Sequence, residues 1–175
     1  MNNTITLEVV TTSSMDSYIE VGKNSYVQHY LHLWENNDPT PYISSSFAIE
    51  VVEKDLSNPN MVHFLVKMED EVVGIVKLIK DHPLDEFSEK EALLAQKIYL
   101  LQAYSGKGVG KKVLQLIEEF AQNLGKKIVW LDTMQKGSPI NFYQKNGYTI
   151  KRESTLSLPG AKPEERPMWV LTKVL

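Results

Sequence analysis

The chain has no cysteine at any of its 175 positions. That absence excludes disulfides, thiolate metal sites and a cysteine nucleophile together, and it suits a reducing compartment. Nowhere do consecutive apolar residues approach the ~18–20 needed to cross a bilayer. Met1 to Val10 also lacks the basic start and the apolar run of ~7–15 residues expected of a signal peptide. Nor is there an excess of positive charge: 19 Lys and Arg stand against 22 Asp and Glu, for a formal net charge of -3. Such a balance offers nucleic acid no broad basic face. The reading is of a soluble cytoplasmic protein without membrane or nucleic-acid partners, in which an anionic ligand must be held by a local device.

Hydrophobic residues make up 42% and charged residues 23% of the chain, too apolar for disorder and ample for one core. The length suits a single domain over residues 1–175. Ile5 to Val10 reads as a strand, Met15 to Trp34 as an amphipathic helix weakened at Gly22, and Ile43 to Leu56 as a second helix. Met61 to Lys67 and Glu71 to Ile79 flank a polar triplet and read as an antiparallel hairpin. Asp81 to Glu91 is a surface loop and Leu93 to Leu101 a central strand. Val109 to Leu124 is the clearest helix, with Gly125 as its stop. Then come a strand at Ile128 to Asp132, a short helix at Pro139 to Asn146, and strands at Tyr148 to Leu158 and Met168 to Val174. The order predicts one mixed α/β domain that joins antiparallel hairpins to a βαβ unit.

Ser105-Gly106-Lys107-Gly108-Val109-Gly110-Lys111 lies between the central strand and the best helix. Glycines let successive amide N–H groups converge on an anion, and the helix adds the positive end of its dipole there. The parts make a phosphate-binding turn. A Walker A loop fails at both ends of the required spacing, with Ser105 and Lys112 where a glycine and a hydroxyl residue belong. A dinucleotide fingerprint fails at Lys111 and comes too late in the chain. A glycine-rich turn that binds nothing is the bland alternative.

Ile98 to Gly110 resembles the central strand and pyrophosphate loop of the GNAT superfamily of acyl-CoA-dependent N-acyltransferases. Asn141-Phe142-Tyr143-Gln144-Lys145-Asn146-Gly147-Tyr148 resembles the superfamily's later FYxKxGF segment, in the right order and at the right distance. The similarity runs from about Val62 to the C-terminus. It implies a GNAT-type fold: a mixed, mostly antiparallel sheet with a splayed parallel pair of central strands flanked by helices. More loosely, the N-terminal half and Leu156 to Gly160 resemble bacterial spermidine/spermine acetyltransferases.

The resemblance implies acetyl-CoA as the acyl donor, in a cleft where the central strand parts from Ile128 to Asp132. A bulge near Tyr99 to Leu101 would expose main-chain groups of Ile98, Tyr99 and Leu100 to the pantetheine arm. Amides of Ser105, Gly106, Lys107, Gly108, Val109, Gly110 and Lys111 would cradle the pyrophosphate, with Asn141 and Lys145 supplying further cofactor contacts. Attack of a neutral amine on a thioester needs a proton acceptor, a carbonyl polariser and a proton donor for the leaving thiolate. The Leu100 amide takes the second role and the Tyr143 phenol the third. Glu89, Glu91 and Asp85 are candidates for the first, each equally readable as part of a solvated charge run. Three positions depart from the family: Ser105 where Arg or Gln is usual, Lys136 where an asparagine is common, and Leu94 where polyamine-like relatives carry glutamate.

The function read from these features is direct acetyl transfer to a primary amine of a small cationic acceptor, a polyamine among the options. The alternative is an acyl-CoA-binding sensor with little turnover. No metal is expected, because His29, His32, His63 and His82 lack ligand spacing. Met168-Trp169-Val170 would serve a homodimer edge or an ordinary core strand.

Overall fold

The computed structural model describes residues 3–175. In chain order the elements are β1 (Ile5–Val9), α1 (Met15–Tyr30), α2 (Thr40–Phe47), α3 (Ile49–Leu56), β2 (Met61–Met68), β3 (Glu71–Ile79), β4 (Ala92–Leu100), α4 (Val109–Asn123), β5 (Ile128–Met134), α5 (Pro139–Lys145), β6 (Thr149–Thr155) and β7 (Pro167–Val174). The strands form one seven-stranded sheet in the order β1-β2-β3-β4-β5-β7-β6. All neighbours run antiparallel except β4 and β5, which the α4 crossover joins in parallel.

Both faces of the sheet are covered. Val109, Val113, Ile117 and Ala121 recur at helical spacing on α4 and pack onto Val76, Leu93 and Leu131. On the other face, Tyr18 and Ile19 of α1, Phe47 of α2 and Val52 of α3 pack onto Leu65 and Ile75. No helix among the described residues is long and apolar enough to cross a membrane.

The expected second helix is two helices. Ala48 takes an extended conformation, φ -62° and ψ 142°, so Phe47 drops into the core while α3 turns toward β2. The first helix stops at Tyr30 in a 3-10 turn over Leu31–Leu33, which buries Leu33 and Trp34 completely or nearly so. The bulge in β4 sits earlier than expected. Lys77 faces Lys97 while Leu78 faces Ala95, so Gln96 is the extra residue. A one-residue insertion reverses side-chain parity. It keeps Lys97 and Tyr99 on the face of Leu94 and returns Ile98 and Leu100 to the face of α4. The strand carrying Met168-Trp169-Val170 is no edge, because β7 pairs with β5 on one side and β6 on the other.

Gly22, a weak point by helix propensity, is a packing requirement. A methyl group there would overlap the ring of Phe47, which is fully buried against Tyr18 and Tyr42. Alanine normally stabilises a helix interior by about 1 kcal/mol relative to glycine. Here Gly22→Ala is expected to destabilise the fold by roughly 1–3 kcal/mol through overpacking, read as a lower denaturant or thermal midpoint.

Candidate active site

Two central strands begin as partners and then part. β4 and β5 pair only at Ala92 with Ile128, Leu93 with Val129 and Leu94 with Trp130. Beyond that, β5 continues along β7 to Met134 and β4 continues along β3. The opening holds a cavity of about 470 Å³, bounded by Ile98, Tyr99, Thr133, Met134, Tyr143 and the tyrosines of α1 and α2.

Main-chain directions in β4 follow from its ladder. The Leu101 N–H donates to the Val73 carbonyl at 2.9 Å. Antiparallel pairs alternate between bonded and non-bonded positions, so Leu100, opposite Gly74, turns its N–H and C=O away from β3 toward the side β5 has left. Ile98 does the same, whereas Tyr99 turns its main chain to Ile75. Of the three strand residues expected to meet the pantetheine arm, Ile98 and Leu100 therefore have outward main-chain groups and Tyr99 does not. The Leu100 carbonyl is occupied, accepting from His29 Nε2 of α1 at 2.9 Å. Among the described residues its N–H has no acceptor. Gln28, next to His29, accepts from the Gln102 N–H at 2.7 Å, so the end of α1 clamps the end of β4.

Downstream of that clamp, Ser105 is exposed but its N–H donates to the Gln102 carbonyl at 3.1 Å, closing the 3-10 turn that follows β4, so unlike expectation its amide is not free for a ligand. Gly106 and Gly108 adopt φ of 73° and 82°. Open space surrounds the position a Cβ would take at either glycine. Gly108 caps α4, and no acidic residue occupies the first turn. Among the described residues, the amides of Gly106, Lys107, Gly108, Val109, Gly110 and Lys111 have no hydrogen-bond acceptor. Lys107 and Lys111 are exposed beside them and Lys112 is half-buried. This is a concave run of N–H donors at a helix start with positive charge around it, which fits a pyrophosphate. Gly110 has another role. A Cβ there would lie 2.9 Å from the Phe142 ring, so the bare helix start lets α5 press against α4.

That contact sets the place of Tyr143. Its ring packs edge-on to Phe142 and Tyr148, while the half-buried residue lines the cavity. Desolvation pushes the phenol above its ordinary value, with Tyr30 adding to the effect, so the group keeps its proton at neutral pH. Asn141 and Lys145 lie exposed at the first and last turns of α5, and their side chains bond to no described residue.

The three acidic base candidates lie elsewhere. Asp85 holds Arg152 Nε at 2.9 Å and Glu91 holds Lys127 at 2.5 Å. Hydrogen bonding pulls both carboxyls down, Glu91 to about 2. Glu89 is exposed. None of the three lines the cavity.

The floor of the cavity is basic. His63, Lys77 and Lys97 face one another directly across β2, β3 and β4, each less than a tenth exposed. One carboxylate reaches this row: Asp55 of α3 bonds Lys77 at 2.7 Å and lies 3.8 Å from His63. Burial pushes His63 down to about 4 and Lys97 down to about 7, with the Lys77 charge acting in the same sense on both. The tyrosine wall beside them is tightly bonded: Tyr42 stacks on Tyr26 at 4.0 Å and shares a hydroxyl contact with Tyr99.

A family model described as the acetyltransferase (GNAT) family matches residues 25–148. The chain belongs to the GNAT acetyltransferase family. An uncharacterized N-acetyltransferase in the pepI 3' region of Lactobacillus delbrueckii subsp. lactis is 22% identical over 146 residues, covering 80% of this chain and 82% of that protein. The PaiA N-acetyltransferase from Thermoplasma acidophilum, solved with coenzyme A, superimposes with a TM-score of 0.75 at 16% identity, covering 98% of this chain and 99% of that one. The spermidine N-acetyltransferase from Vibrio cholerae, solved with CoA and spermine, gives 0.71 at 12% identity, covering 97% and 95%.

In this acetyltransferase, sequence reasoning missed Lys97, Lys77 and the bond from His29 to Leu100. A lysine in an otherwise apolar central strand was the available signal for Lys97. Nothing local marked His29, because its partner is 71 positions away.

The buried histidine makes stability depend on pH. Between about pH 6.5 and 4 the unfolded chain protonates His63 and the folded enzyme does not. Stability from this group is therefore full above pH 6.5 and falls as pH drops through that window, by on the order of 3 kcal/mol. Denaturant melts at several pH values should show the decline, and His63→Gln should flatten it.

Proposed function

We propose that this N-acetyltransferase takes its acetyl group from acetyl-CoA and passes it directly to a primary amine, residues 1–175 acting as one domain. The observation that carries the reading is the parting of β4 from β5, which turns the Leu100 N–H outward at the end of a strand whose Ile98 and Tyr99 share a cavity with Tyr143, with the unpaired amides of Gly106 to Lys111 following that strand in the chain. Those loop amides, with Lys107, Lys111 and Lys112, would hold the pyrophosphate. When bound, the thioester supplies an acyl carbon activated toward attack by a neutral amine.

Each protein group then has one task. The Leu100 N–H donates to the carbonyl oxygen as negative charge grows there, which a preorganised dipole stabilises without reorganising. The new C–N bond forms as the C–S bond breaks, the Tyr143 hydroxyl gives its proton to the sulfur, and the proton shed by the amine nitrogen passes to solvent, from which the phenol is reprotonated. His29 holds the Leu100 carbonyl, which lies in the peptide unit after the one that carries the Leu100 N–H, and so anchors the end of β4; it is a positioning residue. With no cysteine in the chain, transfer proceeds without an acyl-cysteine intermediate.

The acceptor is a small amine by the size of the cavity. A polyamine finds support in the neighbour solved with spermine. The cavity offers it little: among its lining residues Lys77 and Lys97 are cationic and Asp132 is the one carboxylate.

Thiol release from acetyl-CoA across a panel of amines is the test. Release with at least one acceptor is expected. Acetyl-CoA-dependent thermal stabilisation without release on any acceptor would identify a sensor instead. Tyr143→Phe is expected to lower kcat by about a hundredfold with little change in the KM for amine, and to leave the stabilisation by acetyl-CoA intact.

A further inference from the structure

Three basic side chains stand in a row across β2, β3 and β4 with one carboxylate beside them, and that carboxylate is taken. Lys77 Nζ bonds Asp55 at 2.7 Å. Lys97 is 6% exposed and has no acidic partner among the described residues; its one hydrogen-bond contact is the Gln96 side-chain oxygen at 3.5 Å. Around it stand Lys77 from β3, His63 from β2, Asp55 from α3 and the Tyr42 ring from α2, whose centroid is 5.8 Å from Nζ. An ammonium removed from water without a counterion is costly. The bulge at Gln96 is what holds Lys97 on this face, beside Tyr99 and toward the cavity both residues line.

The row lacks one negative charge, and Lys77 and Lys97 both line the cavity. We propose that the acceptor amine also carries a carboxylate, as an amino acid does, and that Lys97 binds that carboxylate. This rests on the acetyltransferase reading of the same cavity. A carboxylate at Lys97 would complete a second ion pair next to that of Lys77 with Asp55. A polyamine end would place another positive charge against two lysines.

The pH dependence follows in sign. Burial and Lys77 bring Lys97 down to about 7 in the free enzyme, and a carboxylate binds its protonated form. His63 is neutral above about pH 4 and contributes no change in this range. Preference for the carboxylate-bearing amine is therefore full below pH 7 and declines above it.

The experiment compares kcat/KM for amine pairs that differ by the carboxylate alone: ornithine with putrescine, lysine with cadaverine, and phenylalanine with phenethylamine. The enzyme is expected to favour the amino acid by about tenfold or more in at least one pair, the scale of a charge-assisted hydrogen bond. The ratio should fall as pH rises above 7. Lys97→Met should bring it to about one. Lys97→Arg should keep it and remove its pH dependence, because guanidinium stays charged. A general packing role for Lys97 would not move the ratio.

Preference for the plain amine in every pair overturns the proposal while leaving the acetyltransferase reading in place. So does a ratio that survives Lys97→Met in protein that acetyl-CoA still stabilises. If the methionine variant does not fold, a ratio indifferent to pH in the wild type is the overturning result. No thiol release from any member of any pair, with release from another amine of the panel, overturns this proposal alone, and no release from any amine sinks both readings.

Discussion

The parallel ladder of β4 and β5 ends at Leu94 and Trp130. In an unbroken sheet the outward N–H groups of Ile98 and Leu100 would be satisfied by the neighbouring strand, and leaving buried backbone groups unpaired is unfavourable. The fold accepts the break because β3 still holds β4 on its other side and β7 still holds β5. What results is a strand edge inside the protein, with donors facing a cavity rather than bulk water. The cavity lies in that break, with Ile98 and Tyr99 of β4 and Tyr143 of α5 among the residues that line it.

Around the opening, the chain fixes the site from several directions. His29 and Gln28 hold the end of β4 from α1, and Gly110 lets α5 close against α4. The parity change at Gln96 directs Lys97 under the cavity and the apolar side chain of Ile98 toward α4. The same insertion thus shapes both faces of the central strand. Like charges opposite one another on a sheet are unfavourable. The single ion pair of Lys77 with Asp55 offsets part of the repulsion in the basic row, and depressed proton affinity at His63 and Lys97 relieves more of it.

Much of this architecture was legible along the chain. The strand, glycine loop and helix from Leu93 to Leu124 announce themselves through local composition, since tight turns and helix caps depend on adjacent residues. Phe142-Tyr143 was legible through the resemblance of its segment to the GNAT family's later motif. The division of the second helix at Ala48 was not, because alanine carries no local signal for an extended backbone and the break serves the burial of Phe47 under Gly22. The acidic candidates Asp85, Glu89 and Glu91 are close in sequence to the central strand, yet Asp85 and Glu91 are bound by Arg152 and Lys127 from other strands and connections.

The sequence by itself determined the order of elements from β2 onward, the helix start at Gly108 and the left-handed turns of the glycine loop, because those depend on backbone freedom and spacing over a few residues. Tertiary structure alone decided which face Lys97 occupies, which carbonyl His29 holds and which strands part. Those outcomes depend on strand register, and register is set by pairing between residues far apart in the chain.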